Sequence, residues 1–228
     1  YHLQQYNRVL NQRNRLLKEI PYKPSLMNTL PVWDKQLAEA GSYIIMQRQL
    51  FCDSLHTIAG EIHKHITRDS EKLSVEYKPS IAFYKETANQ EEIQKNFLKE
   101  LEHKHMDDTK RGTTSRGCHR DDIVFQINDK DVRIFGSQGQ KRTTVISVKL
   151  SELEFMVQET GEYPLLLLDD AMSELDSSRK KMILKYIDKV QTFVTLTDLD
   201  QLPDLKDKSR QVFQVKSGEV IPIESSSF

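Results

Sequence analysis

Apolar residues recur every three or four positions through the first 110 residues, which is the spacing of one helix face. The first run ends where Pro21 and Pro24 interrupt it. The second starts after Pro31 and continues to about Ile66 without another proline. Part of this run is a set of apolar residues seven positions apart: Leu37, Ile44, Phe51 and Ile58. We therefore expect a long helix with a coiled-coil-like seam, followed by a third helix over Gln90–His105.

The hydrophobic pattern changes to alternation after Gly117. Ile123–Ile127 alternates between apolar and polar side chains, Asn128–Lys130 supplies turn residues, and Val132 and Ile134 alternate again. This pattern predicts a β-hairpin. A short strand is also expected earlier, over residues 73–77.

Short apolar runs alternate with helical patterns in the last 90 residues. Leu165–Leu168 and Phe193–Leu196 read as strands buried on both faces. Helices are expected over Gln140–Gln158 and from Ser177, as its cap, to about Lys189, and residues 212–223 form a terminal hairpin. The order predicts an α/β fold, α+β overall, with a mostly parallel sheet and an attached helical arm. We expect an arm domain over 1–116 and a second domain over 117–228.

Composition narrows the class of protein. The 228 residues carry 33 basic and 34 acidic side chains, so the chain as a whole is not a strongly basic nucleic-acid binder. No apolar run approaches the roughly 18 residues that a membrane span needs. Cys52 and Cys118 cannot form a disulfide framework, which favours the reducing cytosol. The chain does not begin with methionine, so we expect it to be part of a longer protein.

Two carboxylates follow the run of four leucines at Leu165–Leu168. Asp169 and Asp170 are expected at the carboxyl edge of a parallel sheet, where open α/β folds bind ligands. One carboxylate could hold Mg²⁺ and the other could polarise a water, as in a Walker B motif. The alternative is a solvated acidic turn that happens to follow a strand.

A nucleotide site of this kind needs a partner P-loop, GxxxxGK(S/T). The only GxxxxG stretch is Gly112–Gly117, and Cys118 and His119 follow it instead of lysine and a hydroxyl residue. We reject this stretch as a P-loop.

Two further stretches give the Walker B candidate a context. Ser137–Gln140 (SQGQ) precedes a helix whose first turn carries Lys141 and Arg142, and a hydroxyl, a glycine and a helix N-terminus together suit an anion. Ser173–Asp176 (SELD) follows Asp170 after two residues. Each stretch alone is typical of an ordinary helix start or loop, so their order carries the information.

That order resembles the signature motif, Walker B motif and D-loop in the second half of an ABC-type ATPase head. The chain as a whole resembles the RecF family, which is related to the SMC proteins. The matching stretches are 6–14, 32–34, 119–122, 137–143, 149–150, 166–170 and 173–176. Cys118 stands where the family pattern Gly-Pro-His-Arg-Asp-Asp has proline. The lobe with the Walker A loop is missing, so the chain resembles the C-terminal portion of a RecF, from within the arm onward.

The resemblance implies a role for individual residues in binding and hydrolysing ATP. Asp169 would help to bind Mg²⁺, and Asp170 would orient water as the catalytic residue. Asp176 would lie in the D-loop, and Thr197 would take the position of the switch histidine, which implies slow hydrolysis. The signature residues are Ser137, Gln138, Gly139 and Gln140. They would bind the nucleotide held by the other subunit, and Ser137 and Gly139 would reach its γ-phosphate.

The resemblance also implies partners. A RecF-like protein would bind ATP and Mg²⁺ between the heads of an ATP-dependent homodimer and clamp double-stranded DNA or a single-/double-strand junction. With RecO and RecR family proteins it would promote RecA loading at gaps and stalled forks, in the bacterial cytoplasm at the nucleoid and without a membrane. The full-length protein would be a slow, DNA-stimulated ATPase, whereas this chain alone would not be an active enzyme.

Two other classes of function stay open. One is a non-catalytic dimerisation or scaffold module of an SMC-like protein. The other is a metal-dependent nuclease that uses two aspartate pairs, Asp121–Asp122 and Asp169–Asp170. No specific chemistry follows for His119–Asp122.

Several other polar residues are expected on solvated helix faces. DNA-backbone contact is the second reading for the basic residues, and metal binding is the second reading for the histidines. These residues are Arg8, Arg13, Arg15, Lys18, His63, His65, His103 and His105.

Overall fold

The computed structural model describes residues 1–85, 89–172, 175–188, 190–197 and 211–223. The chain forms two compact units, one of residues 1–60 and 73–131 (unit 1) and one of residues 61–72 and 132–228 (unit 2). This division by compactness does not coincide with the domain boundary expected after residue 116, which stays a prediction.

Three helices form most of unit 1. They are α1 (His2–Glu19), α2 (Leu30–Thr67, of which residues up to 60 belong to this unit) and α3 (Gln90–Arg111). Helix α2 has 38 residues, or about 57 Å at 1.5 Å per residue, which confirms the long helix. The 3₁₀ turn Pro24–Thr29 separates α1 from α2. Asn89 caps α3 by accepting a hydrogen bond from the backbone N–H of Glu92.

Two of the four heptad residues of α2 lie in the core of unit 1. Leu37 and Ile44 are buried, and they pack in one apolar core with Tyr6 of α1 and Phe97 of α3. Gly117 lies against the same core with φ of 132°, where a Cβ atom would stand 2.3 Å from the Tyr6 hydroxyl oxygen. Because that distance is far inside van der Waals contact, only glycine fits at this position.

A three-stranded antiparallel sheet completes unit 1, in the order β1 (Leu73–Lys78), β2 (Asp122–Ile127) and β3 (Lys130–Asp131). The predicted hairpin is right for β2 and for the turn, but its second strand is wrong beyond Asp131. There the chain forms the short helix α4 (Val132–Phe135). Three residues of apolar-polar-apolar alternation do not distinguish a strand from one helical turn, in which Val132 is buried and Ile134 is exposed.

Unit 2 has the predicted alternation of helix and parallel strand. Its elements are α5 (Gln138–Thr160), β4 (Leu166–Asp169), α6 (Ser177–Ile187) and β5 (Thr192–Thr195), followed by the hairpin of β6 (Val212–Lys216) and β7 (Glu219–Ile223). Strands β4 and β5 pair in parallel, with Leu167 opposite Phe193. The fold class is therefore α/β, as predicted.

Two expectations for unit 2 are corrected. Leu167 is 68% exposed and Phe193 is 54% exposed, so β4 and β5 are not buried on both faces. Within the described residues their sheet has two strands, and only one of its faces is covered. The cap of α6 is Asp176 instead of Ser177, because the Asp176 carboxylate accepts from the Arg179 backbone N–H at 2.9 Å. The expected end of this helix at Lys189 lies outside the described residues.

No helix in the described part of the chain is both long enough and apolar enough to cross a membrane.

Candidate functional site

The two carboxylates after β4 lie at the carboxyl edge of the parallel pair, as predicted. Asp169 stands opposite Thr195 of β5, and the Thr195 hydroxyl donates to the Asp169 carboxylate. The same hydroxyl oxygen accepts from the backbone N–H of Asp170 at 3.1 Å. Both aspartates are exposed. Asp170 has φ of 47°, so the backbone turns sharply out of the strand.

Thr195 was missed in the sequence. Thr197, predicted to take the switch position, is exposed and lies beyond the end of β5, and that role stays a prediction. The register of the two strands, and not a local motif, places Thr195 beside the carboxylates.

Ser137–Gln140 forms the N-terminal end of α5. The Ser137 hydroxyl oxygen accepts from the Gln140 backbone N–H at 3.2 Å, and the Gln140 side-chain oxygen accepts from the Ser137 backbone N–H at 3.0 Å. This reciprocal pair is a capping box. Ser137 and Gln138 are exposed, so the positive end of the helix dipole faces solvent.

Arg142 joins the two predicted motifs within unit 2. It lies in the first turns of α5, and its Nη1 donates to the backbone carbonyl of Asp170 at 3.2 Å. The structure therefore brings the start of α5 to the carboxylate end of β4, although 28 residues separate the two partners.

The structure describes only part of the predicted D-loop. Ser173 and Glu174 lie outside the described residues. Leu175 is buried, and Asp176 is exposed and caps α6.

A polar cluster that the sequence did not reveal lies beside the start of α5. Arg179 of α6 donates to Thr143 of α5 at 2.9 Å and to Glu71 at 2.8 Å. Glu71 also contacts Gln140 and His63. Glu71 and Arg179 are 108 residues apart, so no local spacing could have paired them.

His63 corrects the expectation of a solvated histidine. Its side chain is fully buried, with Nε2 3.1 Å from a Glu71 oxygen and Nδ1 3.1 Å from the Ser147 hydroxyl oxygen. Burial lowers the pKa of His63 below its usual 6.5, and the nearby Arg179 lowers it further, against the opposing effect of Glu71.

This pKa shift predicts a loss of stability in acid. The unfolded chain protonates His63 near its ordinary pKa of 6.5, whereas the folded chain resists protonation until a lower pH. The stability is therefore present above about pH 6.5 and is lost as the pH falls below it. Thermal unfolding between about pH 8 and pH 5 should show a smaller acid-induced loss for His63→Gln than for wild type.

The wild-type comparison also controls for a second histidine with a shifted pKa. Partial burial of the ring lowers the pKa of His119 as well, and its contribution is the same in both proteins. Parallel curves of melting temperature against pH would contradict the role given to His63.

The stretch His119–Asp122 acts as a structural anchor in unit 1. His119 contacts the Tyr6 hydroxyl at 2.9 Å and the Thr114 carbonyl oxygen at 3.0 Å. The Asp121 carboxylate accepts from the Ser80 backbone N–H at 2.8 Å, from Arg48 at 3.2 Å and from the Tyr77 hydroxyl.

These contacts oppose the nuclease alternative. The Asp121 side chain is only 2% exposed and is already hydrogen-bonded to three partners, so it cannot bind a hydrated metal ion without losing them. Among the described residues, no group of three or more histidine, cysteine, aspartate or glutamate side chains could hold a metal ion.

The departure at Cys118 has a simple structural basis. Cys118 is the first residue of a short 3₁₀ helix, a position at which proline is also favoured, and its thiol contacts the Gly41 carbonyl oxygen at 3.3 Å. Burial raises the pKa of this thiol to about 12, so it stays protonated.

Gly112, with φ of 66°, ends α3, which gives the rejected GxxxxG stretch a structural explanation.

Arg13 also contradicts the expectation of a solvated face. Its side chain is fully buried, and it pairs with Asp34 at 2.7 Å and with Asp108 at 2.9 Å. His105, likewise expected on a solvated face, contacts the second oxygen of Asp34 at 2.6 Å.

Comparison with known proteins shows which family this chain resembles. No protein-family model matches the chain. It is 44% identical over 220 residues to the DNA replication and repair protein RecF of Alkaliphilus oremlandii, an alignment that covers 96% of the chain and 59% of that protein. The chain is therefore similar to RecF proteins over nearly its whole length. The RecF of Natranaerobius thermophilus is 42% identical over 235 residues, which is 100% of the chain and 61% of that protein.

Solved RecF structures have the same fold. The recombination mediator protein RecF, described as RecF-ATPrS in the RecFOR pathway, superposes with a TM-score of 0.82 at 37% identity, over 98% of the chain and 58% of that protein. A second structure, described as RecF-ATP, gives a TM-score of 0.83 over the same shares. The chain thus spans about three fifths of the length of the RecF proteins it matches, and corresponds to a C-terminal portion of RecF.

Proposed function

We propose that this chain supplies the signature motif, Walker B motif and D-loop of a RecF ATPase that acts in DNA replication and repair. One observation carries the proposal: Arg142 joins the start of α5 to the carboxylate end of β4 within unit 2. A strand-end carboxylate pair suits a metal ion and an open helix N-terminus suits a phosphate. The Arg142 contact fixes where these two elements lie in one subunit, each available to a different nucleotide of a dimer.

The carboxylate end of β4 fits Mg²⁺. Both aspartates are exposed, and Thr195 fixes the orientation of the Asp169 carboxylate through one hydrogen bond. Carboxylate oxygens are the ligands that Mg²⁺ prefers, and Mg²⁺ keeps several waters, which an exposed site allows. Bound Mg²⁺ would supply charge neutralisation on the phosphate oxygens. In this proposal Asp169 holds the ion, and Asp170 orients the attacking water.

The start of α5 fits a phosphate that comes from outside the subunit. The Ser137 oxygen accepts from Gln140, which leaves its own O–H to donate to an anion. A Cβ atom at Gly139 would meet Arg179 Nη1 at 3.5 Å, an ordinary contact, so packing within this chain does not demand glycine there. A glycine that internal packing does not require is consistent with close approach by a ligand.

The remaining parts of the proposal follow the relatives. RecF structures described as RecF-ATP and RecF-ATPrS support ATP as the nucleotide. We propose that ATP closes a homodimer, with each α5 start facing the nucleotide of the other subunit, and that the closed dimer binds duplex DNA or a single-/double-strand junction. We also propose that it works with RecO and RecR family proteins to load RecA, in the bacterial cytoplasm.

Replacement of Asp169 tests the Walker B assignment. In a full-length RecF polypeptide that contains this chain, Asp169→Ala should weaken Mg²⁺-dependent ATP binding by about tenfold or more, since a contact to a charged group contributes about 1.5–3 kcal/mol. The measurement is an ATP titration with and without Mg²⁺. Asp107→Ala, which removes an exposed carboxylate of α3, is the control.

The same titration separates the ATPase from a scaffold. In a non-catalytic dimerisation module the carboxylate at the strand end is structural, so equal Mg²⁺-ATP affinities for the wild type and Asp169→Ala would overturn the proposal.

A further inference from the structure

Glu71 is the centre of the polar cluster beside the start of α5. One carboxylate oxygen accepts from Gln140 Nε2 at 3.3 Å and from Arg179 Nη2 at 2.8 Å, and the other oxygen lies 3.1 Å from His63 Nε2. The Glu71 side chain is 10% exposed and that of Arg179 is 18% exposed. A largely buried carboxylate with partners on three elements holds those elements in a fixed relation.

The contact with Glu71 determines how the Gln140 amide is oriented. An ionised carboxylate only accepts hydrogen bonds, so Gln140 must present its NH₂ group to Glu71. Its oxygen then faces the Ser137 backbone N–H, which is the orientation that completes the capping box. An amide turned by 180° would face that N–H with another donor. Glu71 therefore selects the amide orientation that fixes Ser137.

The contact with Arg179 extends the same control to α6. The guanidinium group that Glu71 holds also donates to Thr143 of α5 at 2.9 Å, and its Nε lies 3.3 Å from the Asp176 carboxylate. A single carboxylate thus connects the start of α5 with the residue that caps α6.

We propose that Glu71 is a positioning residue that couples the signature motif to the D-loop, setting the Ser137 hydroxyl through Gln140 and Asp176 through Arg179. The inference rests on the proposed function, because it assumes that Ser137 and Asp176 meet nucleotide and partner subunit in an ATP-dependent dimer. Glu71 itself touches neither nucleotide nor metal in this proposal.

An exchange of the two side chains tests the contact between Glu71 and Gln140. Gln140→Glu keeps an acceptor for the Ser137 backbone N–H, since glutamate serves in a capping box as well as glutamine. It places a second carboxylate against Glu71, however, and removes the donor. Glu71→Gln removes the carboxylate that holds Arg179. In the double variant, the amide now at position 71 can donate to the carboxylate now at position 140, so the contact is restored with its polarity reversed.

The expected result is a loss in each single variant and recovery in the double variant. In full-length RecF polypeptide containing this chain, Gln140→Glu and Glu71→Gln should each weaken ATP-induced dimerisation by about tenfold or more. ATP affinity of the monomer should stay within about twofold of wild type, because the altered contacts lie outside the same subunit's nucleotide pocket. The double variant should dimerise within about threefold of wild type. Sedimentation with ATP and ATP titration provide the two readouts.

A matched control removes another carboxylate contact of the same helix. Glu154, at the far end of α5, accepts from the Tyr186 hydroxyl at 2.8 Å. Glu154→Gln should leave ATP-induced dimerisation unchanged.

The outcomes separate this inference from the function on which it rests. If Gln140→Glu dimerises like wild type, or if the double variant does not recover, the positioning role is overturned while the ATPase assignment stands. If the wild-type protein does not dimerise with ATP, the proposed function fails and this inference fails with it. Should Glu71→Gln be too unstable to purify, the double variant decides: dimerisation that recovers relative to Gln140→Glu supports the role of Glu71, and dimerisation that stays at the level of Gln140→Glu overturns it.

Discussion

Ser137→Arg in a full-length RecF polypeptide that contains this chain should abolish ATP-induced dimerisation and leave ATP affinity near the wild-type value. Ser137 is exposed at the open end of α5, so an arginine there blocks the approach of an opposing head. The nucleotide pocket of the same subunit does not use this residue in the proposed arrangement. ATP titration and the mass of the ATP-bound particle are the two measurements.

Ser137→Ala is the matched variant for this experiment. The hydroxyl oxygen caps α5, and the loss of such a cap costs about 1 kcal/mol of folding stability. Both variants should therefore lose about the same stability, whereas only the arginine adds bulk. If Ser137→Arg still dimerises with ATP and is merely less stable, then Ser137–Gln140 is an ordinary helix cap.

Arg13→Met should lower the free energy of unfolding of unit 1 by about 3–5 kcal/mol. Methionine keeps most of the apolar stem but removes the cation between Asp34 and Asp108, which are 1% and 0% exposed. Asp34 keeps its contact with His105, whereas Asp108 loses its ion pair. An unpaired buried carboxylate is costly because the interior does not replace its hydration. Trp33, the only tryptophan, packs against the core of unit 1, so its fluorescence during urea unfolding reports on this unit.

Two further variants serve as controls for that measurement. Arg15→Met changes an exposed arginine of the same helix and should alter stability by no more than about 0.5 kcal/mol. Asp108→Asn, added to Arg13→Met, removes the unpaired charge and should recover part of the loss. A full-sized loss in the Arg15 variant, or none in the Arg13 variant, would show that the buried ion pairs do not stabilise unit 1.

The elements that depend on local pattern could be predicted well. The long helix α2, the parallel strands β4 and β5 and the terminal hairpin follow from periodicity and turn residues, because each is set by neighbours within a few positions. The same holds for Asp169, Asp170 and the start of α5, whose places follow from a strand end and a helix cap. Helix α4 was missed because its pattern is too short to show a period.

The contacts of charged residues could not be predicted in the same way. Arg13 and His63 are residue types expected on solvated helix faces, yet both side chains are fully buried. Their partners come from other elements: Asp108 is 95 residues from Arg13 along the chain. A charged side chain is buried where another group pairs with it or forms hydrogen bonds to it. The neighbouring residues in the sequence do not indicate which group that is.

The order of motifs along the chain is thus enough to indicate the similarity to RecF and the residues at the ends of β4 and α5, since helix, strand and cap are local properties of the polypeptide. The arrangement that turns these residues into a site depends on folding. Thr195 meets Asp169 through strand register, and Glu71 and Arg179 meet beside α5 across 108 residues. Long-range packing brings these side chains together, because hydrogen bonds and ion pairs depend on distance in space and not on separation along the chain.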